Sequence, residues 1–165
     1  MKVKYLPTLN AIALLTIGTA IASVKPESIQ QSLSEAIAGE AAYAQSTSVG
    51  GPLAKKLQGK PVVVDIYASW CSACKNIAPT LSQLKQQYAG KVHFVVLDVS
   101  DRSTTAQSEA IARELGLSAF FDANKTQTGS LTIVDPSTGK ILSQQRNNAN
   151  KATYTKVLDA ALAKR

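Results

Sequence analysis

The segment Pro61-Val-Val-Val-Asp-Ile-Tyr67 is almost continuously apolar and β-branched, the pattern of a strand covered on both faces rather than on one. Such a strand belongs in the middle of a sheet, and the rest of the chain must supply helices for both sides of it. From Cys74 the apolar positions Ile77, Leu81, Leu84 and Tyr88 recur at helical spacing, with Pro79 interrupting the pattern and Gly90 standing as a stop. A second apolar run over residues 92–99 reads as the next strand, with His93 facing solvent or packed at an edge. Strand, helix and strand in that order predict a parallel pair joined by a right-handed crossover.

Ser103 or Thr104 is the expected cap of a second helix carrying Ala110, Ile111 and Leu115, and Gly116 is its expected end. Residues 118–129 fit no element and are predicted to form a loop. Leu131-Thr-Ile-Val134 and Ile141-Leu142 flank the turn-rich Asp135-Pro-Ser-Thr-Gly139, which predicts an antiparallel hairpin. Asn150 then caps a final helix with Tyr154, Val157, Leu158, Ala161 and Leu162 on one face. The order β-α-β-α-β-β-α gives an α/β fold class, a mixed parallel/antiparallel central sheet with helices on both faces.

A chain of 165 residues suits one domain. Ahead of it, Lys2 and Lys4 precede an uncharged run over residues 5–24, the pattern of an export signal. Small-x-small cleavage patterns come after it at Ala20-Ile-Ala22 and Ala42-Tyr-Ala44, and the second is favoured. The run is also long enough to cross a bilayer of roughly 30 Å hydrocarbon, so a cleaved signal and a retained anchor both stay open. In either case the basic start puts the chain beyond Val24 outside the cytoplasm. Residues 25–51 contain no strand-like run and read as a discarded or tethering segment. The expected division is therefore 1–44, signal or anchor with spacer, and 45–165, the working domain.

The first 44 residues carry three Lys and three Glu, so the formal charge of +7 belongs to the domain. Its lysines are dispersed, without the clustered footprint that nucleic acid demands, and nucleic-acid binding is not expected. A positive surface favours acidic partners or anionic lipid head groups. With two Cys and one His, a structural zinc site and a disulfide framework are both excluded. No metal or cofactor is expected.

Trp70-Cys71-Ser72-Ala73-Cys74-Lys75 lies directly after the first strand, where the first helix starts. Three-residue spacing there puts both sulfurs on one side, a turn apart, close enough to form and break a disulfide. Unpaired N–H groups and the positive end of the helix dipole stabilise a thiolate, so Cys71 is expected to have a depressed pKa. Cys74, a turn deeper, is expected to act second. A bond closing so short a loop removes little unfolded-state entropy, which makes it a better switch than staple. A structural bond, or an inert pair, is the alternative.

The string Val64-Asp-Ile-Tyr-Ala-Ser-Trp-Cys-Ser-Ala-Cys-Lys-Asn-Ile-Ala-Pro79 resembles the active-site segment of thioredoxins. It has an acid six residues before the first cysteine, Trp directly before it, and Pro five residues after the second. The element order extends the resemblance over about residues 52 to 164, and the export segment adds a resemblance to thioredoxin-like proteins of thylakoid membranes. It implies protein thiol–disulfide exchange, with Cys71 as nucleophile, Cys74 as resolving thiol and Asp65 as a buried acid moving the proton of the resolving thiol. A carboxyl among Val and Ile is expected to have a raised pKa. Trp70, Thr128 and Gly129 would contact substrate, and Pro79 would shape the helix. The implied partners are client proteins with disulfides or dithiols, and a membrane thiol electron donor.

Thioredoxins place a cis-proline before the third strand, facing the cysteines. Here Thr128-Gly129 stands there, and the prolines are at 7, 26, 52, 61, 79 and 136. A cis bond without proline costs roughly 2.5–4 kcal/mol, so a trans peptide or a rearranged loop is expected. Residues 118–129 look longer than the family's connection, with Phe120-Phe121 predicted to lie over the active site. The rival function is a thioredoxin-like binding or assembly module that uses this loop and keeps its cysteines as a sensor or structural bond.

Overall fold

A computed structural model describes residues 47–164. The expected signal or anchor at 1–44 lies outside the described residues. Strands β1 (Val62–Tyr67), β2 (His93–Asp98), β3 (Ser130–Asp135) and β4 (Lys140–Arg146) form one sheet in the order β2-β1-β3-β4. β1 pairs parallel with β2, Val62 opposite His93, and antiparallel with β3, Val62 opposite Val134. β3 and β4 form the predicted antiparallel hairpin. The expected mixed sheet and the central place of the 61–67 run are both present, and His93 starts the edge strand β2.

Because side chains alternate along a strand, β1 feeds two cores. Val62, Val64 and Ile66 join Leu97, Ala112, Leu115 and Leu117 on one side. Val63 joins Ile77, Leu84, Tyr88, Tyr154 and Leu158 on the other. The first core is covered by α2 (Arg102–Leu115) and α3 (Ser118–Asn124), the second by α1 (Ser72–Gln87) and α4 (Lys151–Ala163).

Several local expectations are corrected. Residues 118–129 do not form a loop throughout: the first part is α3, with Phe121 N–H donating to Leu117 O. Phe120 and Phe121 are buried in the first core, not laid over the cysteines. Leu117, Phe120 and Phe121 share one helical stripe whose burial outweighs the weak propensity of so short a helix. The cap of α2 is Asp101, two or three residues earlier than expected, and Thr104 is its reciprocal partner in a capping box. As expected, α1 is one helix that starts at the cysteine segment, at Ser72, and it continues through Pro79. Gly116 and Asn150 act as predicted, Gly116 in the left-handed region and Asn150 accepting from Ala152 N–H.

The described end of the 25–51 spacer belongs to the fold. Val49 enters the first core, Ser48 bridges to Lys140, and Ile141 N–H donates to Thr47 O. Where this strap meets the hairpin turn, Gly139 has φ +73° and a Cβ there would collide with the Gly51 carbonyl. Backbone on backbone has no rotamer by which to yield, so Gly139→Ala is expected to cost roughly 3 kcal/mol. A fall in the urea midpoint at unchanged m-value measures it.

Candidate functional site

β1 ends at Tyr67, and the chain turns through Ala68, Ser69 and Trp70 into α1, with Cys71 as the residue that caps the helix. The Cys71 sulfur accepts from Cys74 N–H at 3.0 Å, as a serine or aspartate oxygen would at this position. Cys71 and Cys74 are both free thiols and both buried. Burial works against the Cys71 thiolate. Hydrogen bonds from the Cys74 thiol, the Thr128 hydroxyl and the N–H groups of Cys74 and Ala73 outweigh it and hold the thiol below its ordinary value. Burial, the hydrogen bond to Cys71 and the charges of Cys71 and Asp65 push Cys74 the other way, up to about 11.

Asp65 sits in β1 on the Val63 side, facing the core under α1 and α4. It is 5% exposed, and its Oδ1 has no hydrogen-bond partner among the described residues. Burial raises its pKa from 3.8 to about 6, the Lys85 ammonium pulling it down and Asp98 pushing it up by less.

Trp70 is 63% exposed, its indole N–H donating to Ser100 O at 3.0 Å. Ser100 also receives Ser69 N–H on its hydroxyl, which in turn donates to the Asp98 carboxylate. Opposite, Thr128 and Gly129 are brought against the start of α1. No peptide bond among the described residues is cis, as expected for Thr128-Gly129. Gly129 has φ +78°, and a Cβ on it would lie 2.5 Å from Ala73 Cβ and 3.1 Å from Cys74 N. Only glycine allows so close an approach. Its N–H donates to Ile66 O, and its carbonyl accepts from Asn147 N–H.

The structure thus brings Asp65, Trp70, Cys71, Cys74, Thr128 and Gly129 to one end of the sheet. Pro79 lies further along α1. Ser100, Arg146 and Asn147 also reach this site, and the sequence reading missed them. Arg146 Nε donates to Thr128 O at 3.2 Å, and Asn76 Nδ2 to Asn147 Oδ1 at 3.0 Å. The pairing of Ser130 with Arg146 brings Arg146 and Asn147 to the cysteines, as the pairing of β1 with β2 brings Ser100, and no local pattern announces either register. A groove of about 730 Å³ between β4 and α4, lined in part by Leu142, Val157 and Ala161, contains none of these residues.

The Thioredoxin family model matches residues 52–128. Thioredoxin C-2 of Corynebacterium nephridii is 38% identical, the match covering 39% of this chain and 79% of that protein. The chain belongs to the thioredoxin family. Members of this family are thiol–disulfide oxidoreductases, and the Cys71–Cys74 spacing is theirs. The chloroplastic thioredoxin-like protein HCF164 of Arabidopsis thaliana is 35% identical over 44% of this chain and 28% of its own length. The thiol:disulfide interchange protein TxlA homolog of Synechocystis sp. is 45% identical over 30% of this chain and 28% of its own. The chain therefore spans under a third of these two relatives. The X-ray structure of Fasciola hepatica thioredoxin aligns at 22% identity and TM-score 0.45, covering 64% of this chain and 85% of that one.

The titration of this thioredoxin-family site has two measurable consequences. The folded pKa of Asp65 lies above its unfolded value of 3.8, so the native state holds this proton more tightly. The stability it contributes is complete below pH 3.8 and is lost as pH rises through about 6, in all about 3 kcal/mol. Asp65→Asn is expected to gain on the parent by about that amount between acid and neutral pH in urea unfolding. Thr128→Val removes a donor to the Cys71 thiolate, so the midpoint of Cys71 alkylation by iodoacetamide is expected to move to higher pH and the neutral-pH rate to fall several-fold.

Proposed function

We propose that this protein is an extracytoplasmic protein thiol–disulfide oxidoreductase that reduces or exchanges disulfides in client proteins through Cys71 and Cys74. The observation that carries the reading is the pair of opposed thiol environments: Cys71 caps α1 and is held below its ordinary value, while Cys74, three residues on, is pushed up to about 11.

The Cys71 thiolate attacks one sulfur of the client disulfide, and the bond between the client sulfurs breaks as the new one forms. The first client sulfur leaves as a thiolate and takes a proton from solvent. Cys74 then gives its proton to Asp65 and attacks the Cys71 sulfur. The mixed disulfide breaks and the second client thiolate departs. Two electrons have passed to the client, and the protein holds a Cys71–Cys74 disulfide. Asp65 suits the relay because its pKa of about 6 lets it accept and release a proton near neutrality. Trp70 stands exposed beside the cysteines as a client-contact surface, and Thr128 and Gly129 form the opposite wall. Re-reduction takes two electrons from a thiol donor, for which a membrane thiol carrier is suited.

The placement outside the cytoplasm is supported by Lys2, Lys4 and the uncharged run over residues 5–24, and by the chloroplastic relative. Among the described residues no helix is long and apolar enough to cross a membrane. The candidate span at 5–24 lies outside them. The rival reading is a binding or assembly module that uses residues 118–129; against it, the first part of that segment is α3, whose Phe120 and Phe121 are buried in the core rather than offered to a partner.

Insulin reduction with dithiothreitol as donor tests the chemistry. The parent is expected to accelerate precipitation of the insulin B chain, and Cys71→Ser to give the uncatalysed rate. Cys74→Ser is expected to accumulate mixed disulfides with clients on non-reducing gels, because the attack that releases them is gone. Equal rates for parent and Cys71→Ser would sink the enzymatic reading.

A further inference from the structure

The end of the sheet that carries the cysteines is electrically lopsided. Across it the strands run β2, β1, β3, β4. The parallel pairing of β1 with β2 and the antiparallel pairing of β3 and β4 bring four chain ends to this edge: the carboxyl ends of β2, β1 and β4 and the amino end of β3. In that order they place Asp98 to Asp101, then Cys71, then Thr128 and Gly129, then Arg146. The carboxylates on the β2 side are engaged: Asp98 accepts from Ser100, and Asp101 from Thr104 N–H. Arg146, on the β4 side, is exposed. Its Nε is fixed to Thr128 O, and the side chain takes part in none of the ion pairs among the described residues.

This anchoring sets the guanidinium in place without using it up. One N–H is spent on the wall of the site, through the carbonyl of the residue whose hydroxyl donates to Cys71. The two terminal nitrogens keep four donors in the planar fork that matches a carboxylate. Much of the side-chain entropy that an exposed ion pair would cost is already lost, which favours a pair formed here over one made by a free surface lysine.

We propose that Arg146 is a specificity-determining residue that selects client disulfides with an Asp or Glu near the reacting cysteine. The proposal rests on the oxidoreductase reading above. Strands lie about 4.8 Å apart, so the β4 position is roughly 10 Å from the β1 position that leads to Cys71. An extended client advances about 3.3 Å per residue. The selected carboxylate therefore lies about three residues from the client cysteine, on the side that crosses β3 and β4. The β2 side, with Asp98 and Asp101, is unfavourable to it.

The test uses disulfide-bonded model peptides of one sequence with Glu, Gln or Lys placed three residues before, or three residues after, one cysteine. For each, kcat/KM of reduction by the full chain is measured, with dithiothreitol as donor, and ratios are taken within each protein. The parent is expected to prefer Glu over Lys by about fivefold at one of the two positions, the upper range for an exposed ion pair. Arg146→Gln is expected to bring that ratio close to one, and Arg146→Glu to invert it. In the parent, raising salt is expected to erode the preference, which tests the charge without any variant. A parent that reduces all the peptides with no preference at either position overturns the selection while leaving the oxidoreductase reading intact. A Glu preference that persists in Arg146→Gln overturns the assignment to Arg146. A parent that reduces no peptide overturns both readings together.

Discussion

Burial of β1 on both faces is the constraint on which the other elements depend. Val62 to Ile66 are all at most 5% exposed, and a strand without a wet face can only be central. It needs a neighbour on each edge and a helical layer on each side, which β2, β3 and the four helices provide. The same burial draws Asp65 into the apolar interior, since it is the one charged residue in the run. It also fixes the direction in which the chain emerges, so that Cys71 arrives at the start of α1 with its sulfur on the helix N–H groups. The position of the reactive sulfur is thus set by core packing rather than by a loop.

Two chemically identical thiols three residues apart become unequal through geometry. Cys71 sits at the cap, where helix N–H groups point outward and a negative sulfur is welcome. Cys74 lies inside the first turn, its sulfur 3.9 Å from Ile66 O, an acceptor that favours a protonated thiol, and near a carboxyl that repels a thiolate. The two thiols are therefore held in opposite protonation tendencies, Cys71 toward the thiolate and Cys74 toward the thiol. A protonated Asp65 repels nothing, so its titration at about 6 is coupled to that of Cys74, and burial raises both.

What the sequence made legible was whatever depends on local periodicity: the apolar run of β1, the stripe on α1, the turn signals of the hairpin, the glycine at the end of α2. The cysteine pair was legible from its spacing at a strand–turn–helix junction, and Asp65 and Trp70 from the resemblance of that segment to thioredoxins. The failures share the opposite cause. α3 is too short for periodicity to stand out, and only tertiary burial of Phe120 and Phe121 makes it a helix. The strap at Val49 is held by pairing with residues about ninety positions away. Ser100, Arg146 and Asn147 reach the site through strand register, which the intervening sequence does not encode in any short motif.

On the far wall of the site, the groups that tune the sulfur and the proposed client contact are held by different bonds. Gly129 is held by two backbone hydrogen bonds, one to β1 through Ile66 O and one to the residue after β4 through Asn147 N–H. Its missing Cβ lets the segment close on Cys74 N, which brings the Thr128 hydroxyl to the Cys71 sulfur. Gly129, next to the residue whose hydroxyl reaches the sulfur, is thus held by main chain from β1 and from the residue after β4. Arg146 adds a third tie to this wall through one nitrogen and keeps the rest of its charge outside. A change there leaves both of Gly129's backbone hydrogen bonds in place, so its main effect falls on which client approaches rather than on how the sulfur reacts.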